Sequence, residues 1–192
     1  MEAVEVSDIF AALAILLSYP AYEHFEEQAN AVYEFATVNE YAELQRAVEK
    51  LMQLPISQLE QHYVNTFDFQ ETTSLYLTAH ERGDTRERGQ DLLTLQQLLM
   101  SCGFTIVSGE LPDYIPLLLE FLSQEQDHEQ AQALCVRLAQ VSVQIAGQLE
   151  TDHPYRSVFD ILVDVLPHTD HDQTTTLENP DLEDLPYPIM YD

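Results

Sequence analysis

A register of apolar side chains in the second half of this chain limits its fold more than any other feature. Ala131, Leu134, Cys135, Leu138, Val141, Ile145 and Leu149 recur every three or four positions. Such spacing stacks them on one face of a helix about five turns long, whereas a half-buried strand would alternate every second residue. Shorter stretches repeat the pattern. Apolar residues from Ile9 to Leu17 form a first helix, with Ser7 as its expected cap and Tyr19-Pro20 as its end. A second helix is predicted over Glu23–Ala36, with Phe25, Ala29, Val32, Tyr33 and Ala36 on one face. A third is predicted over Glu40–Met52 through Tyr41, Leu44, Val48 and Leu51.

Ser57 and Glu60 have capping-box spacing, and the helix they would start aligns Leu59, Tyr63 and Phe67. Residues 68–78 are irregular and lead into a short helix near Tyr76–Arg82, which Gly83 breaks. Asp84 and Glu87 repeat the capping-box spacing ahead of a helix carrying Leu92, Leu95, Leu98 and Leu99, with Gly103 as its stop. Pro112 and Pro116 fall in the first turn of the next helix, which continues through Leu117, Leu118, Phe121 and Leu122. Asp127 caps the long helix, and Pro154 opens a last one through Val158, Ile161, Leu162 and Val165. The chain holds only five glycines, and its abundant Leu, Ala, Gln and Glu lose little side-chain freedom in helices. The expected fold is therefore all-α, a single helical-bundle domain over residues 1–167. Residues 168–192 are acidic, rich in threonine and proline, and expected to be a flexible tail. The apolar cluster Leu185, Tyr187, Ile189, Met190 and Tyr191 near its end is suited either to docking or to a loose terminus.

Charge narrows the function classes. Thirty-four acidic residues oppose seven basic ones, a formal net charge of −27. Nucleic-acid backbones require Lys and Arg to neutralise phosphates, and anionic membranes would repel this chain. A basic peptide or protein would be drawn in. The same acidity also serves solubility or a salty cytoplasm. Cys102 and Cys135 form no Cys-x-x-Cys motif, and both read as buried free thiols in a reducing cytosol. The first apolar run lacks preceding basic residues and is too short to span a bilayer, so no signal peptide is expected.

Three clusters invite a chemical reading. His80–Gly89 holds three of the seven basic residues. There Arg86 and Arg88 either receive a carboxylate, from a client or from the Glu110–Tyr114 loop, or pair internally with Glu81, Asp84, Glu87 or Asp113. Glu110 and Asp113 flank a proline turn, where an acid/base dyad is conceivable but Asp113 as a helix cap is the simpler reading. Tyr63, Phe67, Phe69, Tyr76 and Tyr114 are either core or the lining of a groove for an amphipathic helix. His168-Thr169-Asp170-His171-Asp172 looks like a metal-hydrolase pair, but it lies in the tail rather than on rigid helices. No nucleophile motif and no phosphate loop occurs, and no metal or cofactor site is assigned.

Several segments taken in order resemble the NarJ family, the delta-subunit assembly chaperones of respiratory nitrate reductase. They are Phe10–Pro20, Tyr63-Val64-Asn65-Thr66-Phe67-Asp68-Phe69, Thr73–Thr78, Gly83–Gly89, Glu110-Leu111-Pro112-Asp113-Tyr114-Ile115-Pro116-Leu117 and Pro154–Phe159. The resemblance implies an all-helical domain without catalytic activity. It implies a chaperone that binds the apo catalytic (alpha) subunit, chiefly through its N-terminal segment. That subunit is held off the membrane until molybdenum cofactor and an iron–sulfur cluster are inserted, and the chaperone then leaves. Tyr63, Phe67, Tyr76, Arg86, Arg88, Asp113, Tyr114 and Leu117 become the candidate partner-binding residues, and the cytoplasm the expected location. A metal-dependent hydrolase and an acidic scaffold that blocks a basic protein are the alternatives.

Overall fold

A computed structural model describes residues 4–21, 24–106, 109–125 and 129–167. Its α-helices are α1 Val6–Leu17, α2 Phe25–Val38, α3 Ala42–Met52, α4 Ile56–Tyr63, α5 Leu77–Arg82, α6 Arg86–Ser101, α7 Ile115–Gln124, α8 Glu129–Gln148 and α9 Arg156–Val165. No strand occurs among the described residues. The expected all-α fold is what the chain adopts. The expected tail, with its His/Asp cluster, lies outside the described residues, as do the expected start at Glu23 and the cap at Asp127.

Two helices are apolar almost all round and form the centre. In α7, Ile115, Pro116, Leu117, Leu118, Leu119, Phe121 and Leu122 are all buried. In α1, Ile9, Phe10, Ala12, Leu13, Ala14, Leu16 and Leu17 are buried. A helix without a polar face must be enclosed, and these two pack along each other. The amphipathic α2 packs on α3, and α9 packs on α8, α1 and α3. Helix α6 is peripheral: it packs on α5, buries only Leu95 and Leu99, and leaves Leu93 and Met100 exposed.

Several expected caps do not form. Helix α4 starts one residue before Ser57, with Pro55 at its N-cap, and no side chain caps it. Likewise α6 starts after Thr85 without using Asp84. Glu5, not Ser7, stands at the N-cap of α1. Pro112 precedes α7, so only Pro116 occupies the first turn, where its missing N–H removes no bond. The Gly103 stop does form. Its φ is +79°, and the Phe104 N–H reaches the Leu99 carbonyl at 2.9 Å in a Schellman closure. Cys102 and Cys135 are free and half-buried, and burial raises the Cys135 thiol above its ordinary range.

Candidate functional site: a tyrosine cleft

The site is built where two irregular segments meet the end of α1. After Tyr63 the helix widens into a π-turn, Val64–Asp68, in which the Phe69 N–H donates to the Val64 carbonyl at 3.1 Å. Such turns are uncommon and concentrate at functional sites. Carbonyls that the widened turn leaves open are taken by side chains: Gln70 donates to Asn65 at 3.2 Å, and the Thr73 hydroxyl donates to Thr66. Phe67 thereby joins the stripe started by Leu59 and Tyr63, and Asp68 is left at the surface.

The second irregular segment is a single antiparallel bridge between Tyr76 and Tyr114. Leu77 N–H donates to the Asp113 carbonyl at 2.9 Å, and Ile115 N–H to the Leu75 carbonyl at 2.8 Å. Residues opposed in such a pair put their side chains on one side. The two tyrosine rings accordingly lie 5.6 Å apart.

Asp113 anchors this bridge from beneath. It is fully buried, and its Oδ2 accepts from the Thr78 N–H at 3.2 Å and the Thr78 hydroxyl at 2.5 Å. Arg88 approaches the same oxygen at 3.6 Å and donates through Nε to the Thr78 hydroxyl at 3.2 Å. The expectation that Asp113 caps its own helix is corrected. Tyr114 holds that N-cap position, while Asp113 satisfies an orphan N–H in the first turn of α5. Nor does Asp113 form an acid/base dyad with Glu110, because its charge is engaged with Thr78 and Arg88. Of the internal partners considered for Arg88, Asp113 is the one it meets.

Above the bridge lies a cleft of about 190 Å³, lined by Tyr19, Tyr63, Phe67, Asp68, Leu75, Tyr76, Glu110 and Tyr114. The rings pack edge to face: Tyr19 on Tyr63 at 5.4 Å, and Tyr63 on Phe67 at 5.0 Å. Tyr63 donates its hydroxyl proton to the Leu17 carbonyl at 3.1 Å. A phenol has one proton, so in the 2.7 Å contact between the Tyr63 and Tyr114 hydroxyls the donor is Tyr114. Tyr76 donates to Glu110 at 3.0 Å.

Burial raises the Tyr63, Tyr76 and Tyr114 hydroxyls above their ordinary value, Tyr114 to about 12, with the charges of Glu110 and Asp68 adding to the rise at Tyr114. The phenols therefore stay protonated at neutral pH. Burial and then the charge of Glu110 raise the Asp68 carboxyl. The arrangement offers aromatic faces, hydroxyls and negative charge, without a nucleophile paired to a base.

Behind the π-turn, the Tyr155 N–H donates to His153 Nδ1 at 3.3 Å. That leaves the proton on Nε2, which donates to the Thr66 hydroxyl at 2.9 Å.

Of the eight candidate residues, the structure brings Tyr63, Phe67, Tyr76 and Tyr114 together in the cleft. Asp113 and Arg88 support it, Leu117 lies in the core, and Arg86 is exposed at the start of α6. Tyr19, Asp68, Leu75 and Glu110 complete the lining. The apolar pattern marks Tyr19 only as a helix end, and nothing in it announces the π-turn that places Asp68. A larger hollow of about 480 Å³ between α5, α6 and α8 contains the pairs Arg82–Asp91 at 2.8 Å and Arg137–Glu81 at 2.6 Å.

Among the described residues no group of three or more His, Cys, Asp or Glu is placed to hold a metal ion. No described helix is long and apolar enough to cross a membrane.

This helical fold matches a solved structure from Archaeoglobus fulgidus described as a putative redox enzyme maturation protein, with TM-score 0.66 and 17% identity over 85% of this chain and 94% of that one. The chain belongs to the nitrate reductase delta subunit family, whose signature covers residues 34–159. It is 33% identical over 161 residues to the probable nitrate reductase molybdenum cofactor assembly chaperone NarJ of Bacillus subtilis (strain 168), covering 82% of this chain and 87% of that protein. It is 32% identical over 114 residues to the probable nitrate reductase molybdenum cofactor assembly chaperone NarW of Escherichia coli (strain K12), which is 59% of this chain and 49% of that one.

Proposed function

We propose that this protein is a cytoplasmic assembly chaperone, without catalytic activity, for a respiratory nitrate reductase. It binds the apo catalytic (alpha) subunit through that subunit's N-terminal segment. It keeps the subunit from the membrane partner while molybdenum cofactor and iron–sulfur cluster are inserted, then leaves, so it is absent from the finished enzyme. The observation that carries this reading is membership of the delta subunit family across residues 34–159, a span that contains most of the cleft. The physical character agrees: a net charge of −27 steers in a basic segment, and the tyrosine cleft offers it a rigid, aromatic seat.

Calorimetry with a synthetic peptide of the first fifteen or so residues of the catalytic subunit tests this directly. Binding at low salt that weakens as salt rises is expected; no binding at low salt refutes the proposal. Tyr114→Ala is expected to weaken the peptide by about tenfold, since buried aromatic anchors dominate such interfaces. An unchanged affinity would place the docking surface elsewhere.

A further inference from the structure

Helices α6 and α8 present a face unlike the rest of the surface. Residues 92–101 of α6 carry no charge, and residues 130–148 of α8 carry one, Arg137, in a chain where 21% of residues are charged. By contrast, α2 and α3 show Glu26, Glu27, Glu34, Glu43 and Glu49 to solvent. Apolar side chains stand exposed on both helices, Leu93 and Met100 on α6, Val136 and Val143 on α8. The members of each pair lie close to two helical turns apart and so form one stripe. The two helices do not pack closely on each other. A hollow of about 400 Å³ separates them, lined by Leu95, Leu98 and Ser101 on one side and by Ala133, Leu134 and Arg137 on the other. It shares Thr94 and Arg137 with the hollow of about 480 Å³ described above, so the two continue as one groove. Its lining on α8 runs from Gln130 to Gln144, about 21 Å along the helix axis.

We propose that residues 182–191 of this same chain dock in the α6–α8 groove as an extended strap. The segment lies outside the described residues, and its sequence fits the groove in length, in polarity and in charge. Pro186 and Pro188 exclude a helix and favour polyproline II, in which Leu185–Tyr191 spans about 19 Å, nearly the length of the groove. The carbonyls of such a strand have no partners within it, and the Gln97, Gln140 and Gln144 amides along the groove can donate to them. The segment holds Glu183 and Asp184 and no basic residue, so acidic faces of the body repel it. The α6–α8 face sets no carboxylate against it over residues 92–101 and 130–148. Where the groove reaches Asp91 and Glu81, Arg82 and Arg137 stand against them. Position favours the same occupant. The described residues end directly after α9, which packs on α8, and residues 168–181 span about 20 Å as a random chain. A tether of that length holds the segment at an effective concentration that a free partner must exceed. A second copy would bring a further charge of −27 to the face, and a basic client is drawn to the acidic surfaces instead. The inference is independent of the client-binding reading.

Methyl-labelled protein, used as the full chain, tests the strap. Nuclear Overhauser contacts are expected from the Leu185 and Ile189 methyls to those of Leu98, Leu134 and Val136, unchanged on tenfold dilution. In an equal mixture of labelled and unlabelled protein the same contacts are expected only within a molecule. Contacts that cross between molecules, or that fade on dilution, overturn the strap and assign the face to a second copy. Absence of any contact between the segment and the groove overturns it as well.

Two variants check the assignment from either side. Leu185→Ser with Ile189→Ser alters only the segment. It is expected to shift the methyl resonances of Leu98, Met100, Leu134 and Val136 while those of the core residues Leu13 and Leu118 stay in place. Ala133→Glu sets a carboxylate at an exposed position of the groove wall. It is expected to move the Leu185 and Ile189 resonances to those of a synthetic peptide of residues 182–191, again with Leu13 and Leu118 unmoved. Groove methyls that ignore the serine substitutions, or segment methyls that ignore Ala133→Glu, overturn the proposal. Groove methyls that respond to the catalytic-subunit peptide in place of the serine substitutions give the groove to the client and overturn it too. Failure of that peptide to bind anywhere refutes the chaperone reading, and the methyl shifts still decide the strap.

Discussion

Asp113 carries a formal charge with no exposure to solvent, and Thr78 and Arg88 answer it. Removing one partner of a buried pair strands the other, at a cost of about 3–5 kcal/mol. Asp113→Ala is expected at the lower end, about 3 kcal/mol by urea denaturation, because Arg88 retains 24% side-chain exposure and can be hydrated. His153 adds a pH dependence. Burial holds its imidazole below the ordinary value, and the charges of His62 and Lys50 add to the shift. The unfolded chain therefore binds the proton more readily. Stability is retained above the unfolded value of about 6.5 and is lost as pH falls from there through the depressed folded value. His153→Gln should flatten this part of a stability–pH curve; an unchanged slope would assign the acid loss to other groups.

Among the elements, the helices legible in the sequence were those whose register is set by burial. The faces of α3, α8 and α9 follow from apolar spacing because the core accepts one orientation of each. The helix starts were less legible. Ser57 and Asp84 have capping spacing, yet the chain enters α4 through Pro55 and α6 through Thr85, since local capping gains of about 1 kcal/mol yield to tertiary placement. The π-turn had no signal, because one extra residue per turn leaves Leu59, Tyr63 and Phe67 on a single stripe either way. For the candidate site, the aromatics were visible as a group. The role of Asp113 is not legible locally because its partner, Thr78, lies 35 residues away in sequence. The uneven packing has a dynamic consequence. Amides in α1 and α7 should exchange slowest with solvent, and those of peripheral α6 earliest among the long helices. Protection in α6 equal to that in α7 would contradict the packing described here.

At the scale of the molecule, net charge sets two opposite salt responses. A charge of −27 repels itself in the compact state, so salt is expected to stabilise the fold. The same screening weakens capture of a basic client. The melting temperature should rise between about 0.05 and 0.5 M sodium chloride, where the Debye length shortens from above 10 Å to below 8 Å, while peptide affinity falls. Parallel changes in both would separate client binding from surface charge. The most direct measurement of the central claim is calorimetric titration of the intact protein with the N-terminal peptide of a nitrate reductase catalytic subunit at low salt. Saturable one-to-one binding that Tyr114→Ala weakens is the predicted result. Absence of heat and of any change in the cleft tyrosines would contradict it.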